Sequence, residues 1–157
     1  MSNTLFRITF ILLFFQLSSI FSFSQGVKNI DGLYYTDKNE LYTGDYIELY
    51  DNGSIKIKMH IENGQKEGET LLFFQNGKVN EARNYHKGKK HGEWVSYDTS
   101  GVKIATAMYD NNLKSGEWLI WDVNGTLRYK MHYERGQKTG IWQMWDEQGV
   151  LIEERKY

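Results

Sequence analysis

The chain has 157 residues, one domain's worth, and its 19 Lys+Arg balance 20 Asp+Glu with no stretch that collects basic residues, so nucleic-acid binding through phosphates is not expected. The absence of cysteine removes disulfides, thiolate metal sites, thiol nucleophiles and a lipobox cysteine together. Proline is also absent and aromatics make up 15%, so nothing forces a stop between elements and many rings have to pack somewhere.

Residues 1–24 read as a signal peptide. Arg7 precedes an apolar run, Ile8–Phe21, interrupted by Gln16, Ser18 and Ser19. Ser22-Phe23-Ser24 then offers small residues at the first and third places, which predicts cleavage before Gln25. The alternative is an uncleaved anchor, but the run is short against the roughly 20 apolar residues a spanning helix needs. Either reading predicts export, to the periplasm, the cell surface or the medium. A chain starting at Gln25 carries 18 Lys+Arg against 20 Asp+Glu, and without cysteine it holds together by packing alone.

Residues 25–43 form a degenerate lead-in. Leu33-Tyr34-Tyr35, then Thr36-Asp37-Lys38-Asn39, then Leu41-Tyr42 predict an extra hairpin that caps the repeats beginning at Gly44, as repeat arrays require.

From Gly44 onward the chain repeats. Gly44, Gly68, Gly92, Gly116 and Gly140 are each 24 residues apart, and Gly53, Gly77, Gly101, Gly125 and Gly149 take the same step nine residues later. Gly64, Gly88 and Gly136 share a third phase, with Asn112 in the missing place. A fixed period of this length predicts five tandem supersecondary units over residues 44–157, each burying its faces against its neighbours.

Within each unit, counted from its leading glycine as zero, four columns are mostly apolar. Position two is Tyr46, Thr70, Trp94, Trp118 and Trp142; position five is Leu49, Phe73, Tyr97, Trp121 and Trp145. Position eleven is Ile55, Val79, Lys103, Leu127 and Leu151; position seventeen is Ile61, Tyr85, Tyr109, Tyr133 and Tyr157. Asn-Gly pairs such as Asn52-Gly53, Asn76-Gly77 and Asn124-Gly125 lie between positions five and eleven, a tight-turn signal because both residues accept positive φ. Glu62-Asn63-Gly64, His86-Lys87-Gly88 and Glu134-Arg135-Gly136 read as a looser turn joining units. The predicted fold is all-β: an elongated single antiparallel sheet of tandem 24-residue β-hairpins, about ten strands plus a cap.

The second strand of a unit alternates, with Leu127, Tyr129, Met131 and Tyr133 against Arg128, Lys130 and His132, so it has one buried and one wet face. The first strand leaves two readings open. Positions two and five have opposite parity, so either a bulge near the leading glycine rotates one column or the two aromatic columns lie on opposite faces. The last strand is expected to be an edge, with Glu153, Glu154, Arg155 and Lys156 discouraging end-to-end pairing.

The segments Gly92-Glu93-Trp94-Val95-Ser96-Tyr97, Gly116-Glu117-Trp118-Leu119-Ile120-Trp121 and Gly140-Ile141-Trp142-Gln143-Met144-Trp145, each followed by a turn, a closing tyrosine and a joining turn, resemble the MORN-repeat variant family. Bacterial members of this type are often labelled YwqK-family antitoxins. Leu41-Tyr42-Thr43-Gly44 is similar to that family as well, whereas Tyr46 and Thr70 stand where tryptophan is usual. The resemblance implies a twisted β-sheet used as an interaction scaffold, and it brings the antitoxin label.

Chemistry-bearing residues are few. His60 and His132 lie three units apart, roughly 30 Å at two strands per unit, and cannot share a metal. His86 and His91 flank Gly88, but no third ligand accompanies them, so no metal site is expected. Glu69, Glu93 and Glu117, and Asp98, Asp122 and Asp146, form periodic carboxylate columns. Equivalent places in an array share one environment, whereas a catalytic pair needs two different ones. No nucleophile elbow, phosphate loop or triad is present, so no catalytic residue, enzyme activity or cofactor is predicted.

The column Trp94, Trp118 and Trp142 is the candidate binding feature. Facing solvent, it would be an aromatic stripe for a protein strand, a glycan face or a quaternary amine. Packed inward, it ties hairpin to hairpin, and a single sheet's need for packing favours that. The expected function is an exported non-enzymatic scaffold with a protein partner. The alternatives are a cell-wall or glycan-binding module, or a membrane-surface module, for which the mature chain lacks a basic amphipathic element.

Overall fold

In a computed structural model, the structure describes residues 26–157; the expected signal segment, 1–24, lies outside the described residues. Those described form strands and turns with no helix. The lead-in contributes β1 (Lys28–Ile30) and β2 (Leu33–Tyr35), a separate two-stranded sheet. The repeat region contributes β3 (Gly44–Leu49), β4 (Ile55–Glu62), β5 (Gln65–Phe73), β6 (Val79–His86), β7 (Lys89–Lys90), β8 (Gly92–Tyr97), β9 (Lys103–Asp110), β10 (Leu113–Trp121), β11 (Leu127–Glu134), β12 (Gln137–Trp145) and β13 (Leu151–Lys156). β7 and β8 both pair with β6 and are one strand interrupted at His91. Each strand otherwise pairs with its sequence neighbours, giving one open antiparallel sheet that runs from β3 to β13. β13 pairs with β12 alone among the described residues.

The two turn types are the reverse of the sequence expectation. The turn joining units is the tight one: Glu62 pairs with Gln65 across Asn63-Gly64. Both its residues have positive φ, 48° and 75°, and Lys87-Gly88 and Arg135-Gly136 repeat the pattern. That is the two-residue turn whose twist matches antiparallel strands. The turn inside a unit is longer. The Asp98 N–H donates to the Val102 carbonyl at 2.9 Å and the Gly101 N–H to the Asp98 carbonyl at 2.9 Å. There only the glycine is left-handed, Gly101 at φ 87°, and Asn52, Asn76 and Asn124 keep negative φ. Asn-Gly inside a unit therefore marks a loop with one left-handed residue, while Asn63-Gly64 and, with poorer φ-positive residues by type, Lys87-Gly88 and Arg135-Gly136 take the tight turn.

Register settles the parity question for the two aromatic columns. On β10, Ser115 opposes Met108 and Leu119 opposes Thr106 of β9, so Gly116–Trp118 bulges against Ala107 alone. Gly116, at φ 60°, makes that bulge, and a Cβ there would meet Met108 Cβ at 3.4 Å. The bulge adds two residues, an even number, and so leaves side-chain alternation unchanged. Trp118 and Trp121 therefore point to opposite faces. A second shift, between Ile120 and Trp121, pairs Trp121 with Leu127 and leaves Arg128 as one extra residue on β11. An odd insertion flips alternation, so Leu127 leaves the face of Tyr129, Met131 and Tyr133 and joins Trp121. The expectation that all four share a face is corrected at Leu127.

The face that carries positions two and seventeen is the ladder face; the other is the far face. The core lies at the first-unit end of the ladder face. Ile61 is fully buried, and Met59 and Tyr34 are 4% and 7% exposed. Tyr34 reaches them from the lead-in: its N–H donates to the Gly64 carbonyl at 2.9 Å, and its ring meets Tyr46 edge-on at 5.3 Å. The lead-in thus sits over the first unit, and its expected hairpin is closed by the Thr36 N–H donating to the Glu40 carbonyl at 2.8 Å and the Tyr42 N–H to the Tyr34 carbonyl at 2.9 Å. β2 pairs with β1, and Leu41 contributes one bridge, to Tyr35.

Candidate functional site

Positions two and seventeen are brought together by register. β8 places Gly92 opposite Tyr109 and Trp94 opposite Ala107, so Trp94 and Tyr109 share a face one step apart along adjacent strands. The same pairing recurs in each unit and builds a continuous ladder. Tyr85, Trp94, Tyr109, Trp118, Tyr133, Trp142 and Tyr157 follow one another at ring-centroid distances of 4.9–5.4 Å with tilted or edge-on planes. Such geometry satisfies ring quadrupoles and adds stabilisation beyond area burial.

Each indole is also fixed at its polar end. Trp94, Trp118 and Trp142 Nε1–H donate to the carbonyls of Asn84, Met108 and His132 at 3.0, 3.1 and 3.0 Å. The three indoles are half-buried: packed between tyrosines on their flanks and reached by solvent from above. The column therefore ties hairpin to hairpin and presents aromatic surface at once, so the two sequence readings were not exclusive.

A lysine column that the sequence reading did not single out completes this face. Lys90 Nζ lies 4.7 Å from the Trp94 ring centroid and 4.9 Å from that of Tyr109. Lys114 lies 4.4 and 4.7 Å from Trp118 and Tyr133, and Lys138 4.4 and 4.8 Å from Trp142 and Tyr157. Lys66 stands 5.1 Å over Tyr85; burial, with the Arg83 guanidinium nearby, holds its ammonium below the usual lysine range. These four lysines keep the 24-residue step two places before Gly68, Gly92, Gly116 and Gly140, and that period was the signal available in the sequence. Burial likewise raises the Tyr109 hydroxyl above its ordinary pKa.

Toward β13 the ladder face opens into a groove of about 320 Å³ lined by Tyr129, Met131, Trp142, Met144, Arg155 and Tyr157 among others. Tyr97, Trp121 and Trp145 lie on the far face, where Lys103 Nζ stands 4.8 Å over the Trp121 ring. Tyr97, with Leu71 and Ala82, borders a separate shallow hollow.

The carboxylate columns have structural partners. Asp98, Asp122 and Asp146 Oδ1 each accept two backbone N–H groups of their own loop, from Ser100 and Val102, Asn124 and Thr126, and Gln148 and Val150. In the first two loops, Asn52 and Asn76 accept from Ser54 and Lys78 instead. Glu117 pairs with Lys130 at 2.8 Å. His60 pairs with Asp45 and His86 with Glu67, and the His86 and His91 rings are 6.0 Å apart. No cluster of three metal-ligating side chains occurs among the described residues.

With this geometry in place, comparison identifies the repeat. The family described as MORN repeat variant matches residues 66–87, 90–111, 114–135 and 138–157, each match opening at or beside a lysine of the ladder face. The first hairpin, β3–β4, which carries Tyr46 and Ile61 in the two columns, lies before these matches. No curated protein matches the chain. Among solved structures, the GtfA/B complex bound to UDP and GlcNAc aligns at 10% identity and a TM-score of 0.29, over 83% of this chain and 23% of that one. A likeness that weak bears on neither fold nor function.

Proposed function

We propose that this chain, which belongs to the MORN repeat variant family, is an exported, non-enzymatic scaffold that docks a protein partner on its ladder face. One observation carries the reading. Seven rings from Tyr85 to Tyr157 form an unbroken ladder, and no described element covers it as Tyr34 covers the first unit. Half-buried aromatics held by packing and by indole hydrogen bonds lose little side-chain entropy on association, which is what binding hot spots require. The resemblance to YwqK-family antitoxins is in keeping with a protein partner and does not name it. Export follows from the arrangement of Arg7, Ile8–Phe21 and Ser22-Phe23-Ser24.

The test is capture from an envelope extract with the full chain as bait, compared with Trp94→Ala/Trp118→Ala/Trp142→Ala and with Trp142→Ala alone, each checked by circular dichroism. A protein held by the wild type, released by the folded Trp142 variant, and protecting β8 to β12 from hydrogen exchange supports the scaffold. Capture of wall polysaccharide or anionic vesicles in its place replaces it with the glycan or membrane-surface reading. A protein retained undiminished by both variants removes the ladder from the site.

A further inference from the structure

The four lysines of the ladder face share one column and one setting. Lys56, Lys130 and Arg83 sit in ion pairs with Glu48, Glu117 and Glu81. Lys66, Lys90, Lys114 and Lys138 are in no ion pair among the described residues. Their ammonium groups stand over rings, beside the tyrosines of position seventeen. Lys114 Nζ is 3.4 Å from the Tyr133 hydroxyl, and Lys138 Nζ is 3.5 Å from that of Tyr157. A lysine and a tyrosine hydroxyl side by side can both donate to one carboxylate. Lys90 over Tyr109 and Lys66 over Tyr85 repeat the placement of ammonium above ring along the ladder.

The spacing selects what can use it. Two strands per unit at about 4.8 Å each put successive donor pairs about 10 Å apart, in a line across the strands. A β-strand cannot match that period: side chains on one of its faces recur at about 6.7 Å, and residues three apart point to opposite sides. A polyproline II segment can. It has three residues per turn at about 3.1 Å rise, so every third side chain falls on one side about 9.3 Å from the last. Its rigid, already extended backbone also suits an aromatic-lined track.

We infer that the ladder face is a binding track for an acidic peptide in the polyproline II conformation, with a carboxylate at every third residue. Each carboxylate meets one lysine–tyrosine pair, and the two residues between carboxylates lie against the Trp94, Trp118 and Trp142 indoles and the groove at Met131 and Met144. This rests on the scaffold reading and specifies its partner's chemistry.

Fluorescence anisotropy of a labelled peptide of four Glu-Pro-Pro triplets, added to the full chain, tests it. The controls are the same length of Gln-Pro-Pro and a peptide of identical composition with its glutamates clustered at one end. The spaced acidic peptide is expected to bind at least about tenfold more tightly than either control, the size of a few partly exposed charge pairs acting together, and to weaken as salt rises. Lys90→Met/Lys114→Met/Lys138→Met, which keeps much of each stem's packing, should abolish that preference, and the matching arginine variant should retain it. Should the triple methionine variant unfold, Lys138→Met alone, at an exposed site, should still lower the affinity. Equal binding of spaced and clustered peptides, indifference to the lysine variants, or binding of anionic vesicles but not the peptide would each overturn the inference. A natural partner lost with Trp142→Ala but unmoved by the lysine variants overturns this inference while leaving the scaffold standing.

Discussion

At the first unit the ladder face is closed by Tyr34, over Tyr46, Met59 and Ile61. Four units on, the same positions hold Trp142, Arg155 and Tyr157, and the face opens on a groove. The contents of the position-seventeen column follow this difference. Where the lead-in supplies a ring from above, that column carries Ile61, 0% exposed. Where it does not, the units supply their own rings, and Tyr157 at the far end is 45% exposed. One layer is filled either way, by a cap or by the array itself. This accounts for Ile61 standing where later units carry tyrosine: a second large ring there would compete with Tyr34 for the same volume.

The largest expected effect tests this contrast directly. Ile61→Ala leaves a cavity beneath the lead-in and should cost about 3 kcal/mol, whereas Ile120→Ala, on the same face but 38% exposed, should cost less than about 1 kcal/mol. Urea unfolding midpoints of the two variants decide it. Equal losses would mean that the lead-in does not close the face in solution.

A smaller effect is expected from imposing the open-end residue on the closed end. Thr70→Trp forces an indole into a buried place opposite Met59, a member of the Tyr34 cluster, and overpacking should cost about 2 kcal/mol. Limited proteolysis should then cut within residues 26–43, with β8 to β13 remaining protected. If the lead-in stays resistant, the column and the cap are not alternatives.

The smallest effect separates two turns of identical backbone. Glu67 accepts the Lys87 N–H at 2.7 Å and pairs with His86 at 2.8 Å, and these bonds, the backbone one foremost, hold its carboxyl below the usual glutamate range. A depressed folded-state pKa means the stabilisation is complete above the unfolded-state value and is lost as pH falls through the folded one. Amide exchange of the turn at 86–89 should therefore speed up in acid before that of the turn at 134–137, and Glu67→Gln should remove the difference. Identical acid profiles for the two turns would show that the bonds to Glu67 contribute nothing.

The strand order, the period and the candidate indoles were legible in the sequence, because a 24-residue repeat of glycines and aromatics specifies local hairpins, and consecutive hairpins stack. The turn assignment was legible only in part. Asn-Gly marks a positive φ, but whether one residue or two adopt it depends on the register that the flanking strands settle into. The lysine column went unnoticed for a related reason: lysine carries no fold signal, and only its position over the rings makes it part of a site.

Chain chemistry by itself determined that this protein is an array of glycine-punctuated hairpins without thiol chemistry, because propensity and period act over a few residues. Tertiary structure decided which columns share a face, since a two-residue bulge at Gly116 preserves alternation while a one-residue bulge at Arg128 reverses it. It also decided that Tyr34 closes one end of the ladder face and leaves the rest open. Both outcomes depend on contacts between residues distant in the chain, and these exist only once the strands are paired.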